Sequence, residues 1–169
     1  MTMPPRLRKL VLTAHVTTSL GWLGAVIAYL VLDLNAVYSE DIGAVRAAYL
    51  GMELIIWYAI VPLALASVFI GIVNALGTHW GLFRHYWVLI KLLLTLFATV
   101  ILLAEAQVVS GLADTAASIS DPRRLPGTLL HSIGGLLVLL IVVVLAVFKP
   151  RGMTRYGWRK QHGRSDAQA

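Results

Sequence analysis

The stretch LLHSIGGLLVLLIVVVLAVF, Leu129 to Phe148, contains no acidic or basic side chain other than His131. A helix of about 20 mostly apolar residues crosses the roughly 30 Å hydrocarbon core of a bilayer, so this segment reads as a membrane span. Working back toward the amino terminus, the same pattern recurs from Tyr86 to Val109, from Leu54 to Leu76 and from Leu10 to Leu32. The connections are Asp33 to Glu53, Gly77 to His85 and Ser110 to Thr128, the last carrying Gly111, Asp114, Asp121, Pro122, Pro126 and Gly127. These are turn and cap residues. Pro62 interrupts the second span and predicts a kink that frees the carbonyl of Tyr58.

Composition agrees with four spans. The 169 residues are 59% hydrophobic and 13% charged, about half the charge with which a soluble domain clothes its surface. Cysteine is absent, which excludes disulfides, iron-sulfur clusters, thiolate zinc and thiol nucleophiles. No phosphate loop, HExxH, nucleophile elbow or dinucleotide fingerprint occurs. Copper(I) is poorly served, because Met1, Met3, Met52 and Met153 all lie outside the spans.

The net charge of +6 bears first on orientation and not on nucleic acid. Arg6, Arg8 and Lys9 precede the first span, Arg84 lies in the middle connection, and Lys149, Arg151, Arg155, Arg159, Lys160 and Arg164 follow the last. The opposite face has Arg46, Arg123 and Arg124. By the positive-inside rule both termini are cytoplasmic. The first span, about 23 residues long, exceeds a cleaved signal core and is expected to stay in the mature protein. The expected fold is therefore all-α, an integral membrane four-helix bundle over residues 1–148, followed by a basic cytoplasmic tail over 149–169. That tail reads as a topology signal attracted to anionic lipid. The expected setting is the cell membrane, and the bilayer is the first partner.

Ionisable groups inside a span cost at least about 2.5 kcal/mol and need a partner, a cavity or a function. Lys91, Thr95, Ala98, Leu102 and Glu105 alternate steps of four and three and so share one helical face. Glu53, Trp57, Ile60, Ala64, Ser67, Gly71 and Asn74 form a second stripe, and His15, Ser19, Trp22, Val26 and Tyr29 a third. Small residues beside the third stripe, Ala14, Thr18, Gly21, Ala25 and Ala28, allow close helix packing, within one chain or in a homo-oligomer.

At about 1.5 Å per residue, His15 and Lys91 fall at one depth near the cytoplasmic side. Tyr29, Glu53, Glu105 and His131 form a second layer near the outer side. The inner layer has no acid, and Asn74 is the amide at its level. Lys91 alternatively snorkels to the headgroups, and His15 alternatively makes a structural hydrogen bond. His79 and His85 are expected to be solvated in the cytoplasmic connection.

The segments HVTTSLGWLGA, His15 to Ala25, and HYWVLIKLLLTL, His85 to Leu96, resemble the first and third helices of the HemJ-type protoporphyrinogen oxidase group and, more loosely, the copper-resistance D family. The chain as a whole also resembles a family of uncharacterised bacterial four-helix membrane proteins. The resemblance implies haem b, with His15 as metal ligand or catalytic residue, Lys91 as its functional companion and Trp22 beside the cofactor; Asn74, outside the matching segments, joins this set by its depth. It also implies an oxidoreductase that handles a porphyrin or a quinone. Porphyrin propionates would supply the counter-charge that the inner layer lacks. His15 and His131 lie about 15 Å apart along the normal and cannot ligate one iron, which leaves a single axial histidine or a different sixth ligand. Two other readings stand beside this one. The first is a non-catalytic scaffold or accessory subunit whose buried charges merely pair, and the second is a small proton or solute conductor with the two layers as stations.

Overall fold

The structure, a computed structural model, describes residues 3–77, 82–150 and 152–159. It is all-helical, with four helices long and apolar enough to cross a membrane: α1 (Pro5–Tyr38), α2 (Ile42–Gly77), α3 (Tyr86–Ser118) and α4 (Leu129–Phe148). In order around the bundle, α1 packs against α2 and α4, and α3 packs against the same two. Consecutive helices are thus antiparallel neighbours, and α4 closes the ring on α1. His79, Trp80, Arg151, Lys160 and Arg164 lie outside the described residues.

The first three helices, of 34, 36 and 33 residues, are longer than the expected spans, whereas α4 keeps its 20. At 1.5 Å per residue they reach about 50 Å, against about 30 Å for α4. The excess corrects the expected connections: most of Asp33–Glu53 and the first half of Ser110–Thr128 are helical. Packing explains why. Val45, Ala48, Tyr49 and Met52 form a helical stripe at steps of three, one and three, and all are at most 1% exposed. They meet Ala106, Val109, Ala113 and Ala116 of α3, small side chains that let the two helices approach closely. The tightest core therefore lies at this end, away from the start of α1. The expected discontinuity at Pro62 takes the form of a π-turn over Ile56–Ile60, where the N–H of Val61 donates to Ile56 O, so the wide turn absorbs the proline.

Between α3 and α4 the chain turns back through a short 3-10 segment, Pro122–Arg124. Its backbone is irregular, and side chains from α2 satisfy it: Arg46 donates to Ile119 O at 2.7 Å, and Tyr49 Oη donates to Leu125 O and Pro126 O at 3.3 Å. Arg123 bonds Asp121, holding its carboxyl below the usual range, and also reaches Glu40.

The first turn of α4 is completed by Asp33, a fully buried residue of α1. Its carboxylate accepts from Thr128 N at 3.1 Å, Thr128 Oγ1 at 3.0 Å and Ser132 Oγ at 2.8 Å. Because the Thr128 hydroxyl proton is directed to Asp33, Tyr29 Oη donates to Thr128 Oγ1 at 2.7 Å. A carboxylate at a helix amino terminus also meets the positive end of its dipole. Gly127 gives the room this approach uses, since a Cβ there would collide with Val37 Cγ2.

At the opposite end the C-terminal segment is docked and not simply solvated, which adds to its expected role as a lipid-attracted tail. Tyr86 N donates to Gly152 O and Thr154 N to Arg84 O, and Thr154 Oγ1 donates to Phe83 O at 2.6 Å. Gly157 lies against the Arg84 carbonyl, where a Cβ would approach to 2.5 Å.

Asp33→Ala leaves one backbone and two hydroxyl donors without their acceptor and is expected to cost about 3 kcal/mol in reversible unfolding in detergent, with Asp33→Asn costing less. Gly157→Ala should unseat the segment after Phe148 and speed its removal by protease at least several-fold, leaving the bundle intact.

Candidate functional site

His15 and Lys91, which the sequence places at one depth, are in contact. The Lys91 ammonium donates to His15 Nε2 at 3.3 Å, from α3 across to α1. With Lys91 protonated the ring proton falls on Nδ1, which is buried and faces the Ser67 backbone without closing a hydrogen bond among the described residues. No carboxylate forms an ion pair with Lys91 among the described residues. Among the described residues the neighbour of Lys91 is thus a base and not an acid. Snorkelling does not describe this lysine, because its ammonium is directed at the His15 ring within the bundle.

The local sequence makes room for the pair. Gly71 of α2 faces the imidazole, and a Cβ there would sit 2.8 Å from His15 Cε1. Thr95, one turn beyond Lys91, bonds back to the Lys91 carbonyl and so spends its hydroxyl within α3. Ser19 and Ser67 share a 2.8 Å hydrogen bond that ties α1 to α2 just above. Asn74, one turn from Gly71, has its side-chain oxygen buried without a partner among the described residues.

These groups surround a cavity of about 110 Å³, walled elsewhere by Trp22, Trp87 and aliphatic side chains. Its chemistry is one cation, one unpaired imidazole N–H, and an amide that can present either end by rotating. Such a set complements a small anion. The haem implied by resemblance can be tested against this volume, since ligand pockets usually measure about 300 Å³ or more. The cavity as it stands is smaller than that and of the size of a carboxylate. Among the described residues no group of three or more His, Asp and Glu side chains is placed to hold a metal ion.

The outer layer is assembled in part. His131 Nδ1 lies 3.2 Å from Glu105 Oε1, linking α4 to α3. Tyr29 lines the same second cavity, of about 250 Å³, although its hydroxyl is directed at Thr128. Glu53 is separate: it lines neither cavity, and no hydrogen bond joins its carboxylate to the others. Trp57 on the same stripe donates to Ser110 Oγ at 2.9 Å. The sequence reading left out Asp33, although it was within reach: four residues beyond Tyr29, it is the next member of the His15 to Tyr29 stripe.

Compared with family models, curated proteins and solved structures, the chain finds no match.

Gly71→Ala is expected to displace the His15 ring and lengthen the contact with Lys91. In protein carrying labelled histidine, the His15 ring nitrogen resonances should shift in Gly71→Ala as they do in Lys91→Met; an unchanged spectrum would show that the ring is not held as described.

Proposed function

We propose that this chain is a multi-pass membrane protein that binds the anionic group of a small molecule among its helices. Lys91 is the counter-charge, and His15 is the adjacent group able to exchange a proton. The observation that carries this reading is a lysine–histidine pair inside the bundle with no acid beside it among the described residues, facing a cavity also lined by an imidazole nitrogen and an amide oxygen that have no hydrogen-bond partner among those residues. In a membrane interior such groups are costly unless something completes them.

Two features favour binding over the other readings. A scaffold whose charges merely pair would have a carboxylate at Lys91, and here the pairing partner is a second base. A conductor needs a wet path between the two layers, but Trp22 and Leu139, each at most 5% exposed and both apolar at this level, stand between the cavities. The anion is a carboxylate in size and chemistry, and in a porphyrin only the propionate arms are comparable. The positive-inside rule supports placing both termini, and with them this cavity, on the cytoplasmic side. Of the described basic residues on the other face, Arg46 and Arg123 are tied to local acceptors.

Acetate titrated into the full chain in lipid nanodiscs should change tryptophan fluorescence saturably, because Trp22 and Trp87 wall the cavity. Acetamide, the neutral isostere, should not. Lys91→Met and His15→Ala should weaken the acetate response at least ten-fold. An equal response to acetamide, or an unaltered Lys91→Met, would overturn the reading. Haemin is the informative further probe: a Soret shift that depends on His15 would replace this reading with the haem one.

A further inference from the structure

The second cavity lies outward of Trp22 and Leu139, between α3 and α4, and is more than twice the volume of the first. Three features distinguish it from a packing defect. Its rim includes Phe97, Ile101 and Leu130, which are 58%, 39% and 83% exposed, so the opening faces sideways, where lipid would lie. Its floor contains the adjacent pair Gly134 and Gly135, and a Cβ built on either meets no atom within 4 Å. Two neighbouring residues without side chains leave a flat surface, with Phe97 and Trp22 as aromatic walls. The Glu105–His131 pair forms its polar end.

We propose that this cavity binds a lipophile taken up from the bilayer, with a planar oxygen-bearing ring of the quinone or quinol class set over Gly134 and Gly135 and its oxygen at His131. The pair itself favours an uncharged head. Glu105 already holds His131 Nδ1, which leaves Nε2 free to accept from a ring hydroxyl or, as imidazolium, to donate to a ring carbonyl. A free carboxylate head would meet Glu105, and a plain hydrocarbon would leave the polar end without a purpose. The volume of about 250 Å³ exceeds the roughly 150 Å³ of an apolar cavity that accepts benzene, and the sideways opening lets an alkyl tail remain in lipid. This site rests on observations separate from those at the Lys91 cavity, with which it shares only the Trp22 and Leu139 wall.

The probe is a benzoquinone bearing a ten-carbon chain, titrated into the full chain in nanodiscs and read by quenching of tryptophan fluorescence. Decylbenzene, which has the same tail and no ring oxygen, is the control. Saturable quenching is expected, weakened at least ten-fold in Gly135→Leu, which fills the cavity, and several-fold in Glu105→Gln and His131→Ala. Lys91→Met should leave it unchanged, so failure here is distinguishable from failure of the anion reading. Thermal unfolding of Gly135→Leu checks that it is folded; if it is not, Glu105→Gln and His131→Ala decide. Wild-type affinity in these variants would overturn the assignment, and decylbenzene competing equally well would show a crevice for lipid chains instead.

Discussion

Inside a bilayer no water is available to satisfy a backbone amide or carbonyl, and this constraint shapes the chain at each irregular point. It favours long uninterrupted helices, and it accounts for the treatment of Pro62, where a π-turn keeps the backbone hydrogen-bonded instead of breaking the helix. It acts most clearly at the start of α4. That helix begins beside turns of α1 and α2 that continue past it, so its first amide groups face protein. Asp33 accepts from the Thr128 amide and from the Thr128 and Ser132 hydroxyls, and Tyr29 extends the chain of hydroxyls. The same constraint gives meaning to the few polar atoms left unmatched beside Lys91.

The two ends of the bundle are built differently. The end around the α3–α4 return is close-packed, with alanine and valine from α3 against the Tyr49 and Met52 stripe, and its irregular return segment is held by Arg46 and Tyr49. The end that carries both termini has a cavity in place of a core, and its connection is clamped by the segment around Thr154. Rigidity on one side and space on the other is an arrangement in which a binding site can be preorganised without loosening the fold.

The apolar runs that define the spans were legible because a membrane imposes a length and a composition that few other environments require. The meeting of His15 and Lys91 followed from counting depth along antiparallel helices, and Glu105 with His131 followed in the same way. Helix ends were harder. Asp33, Gly43 and Asp41 look like loop residues one at a time, yet the spacing of Val45, Ala48, Tyr49 and Met52 was a helical stripe in plain view, and Asp33 continued another. Contacts made through glycine could not be foreseen: what Gly71, Gly127 and Gly157 permit depends on which neighbour arrives, and that is set by tertiary approach alone. The docking of the tail belongs to the same class, since its charges suggested attraction to anionic lipid while its backbone bonds Arg84 and Tyr86.

Trp22 and Leu139 are shared by the walls of both cavities. One indole ring therefore has a different ligand environment on each of its sides, and a molecule that tilts it to enlarge one chamber takes volume from the other. Thermodynamic linkage makes this effect symmetric: whatever free energy occupancy of the first chamber adds to or removes from binding in the second is returned in full in the opposite direction. The partition that stops the two layers from forming a continuous wet path is thus also the part through which each would sense the other.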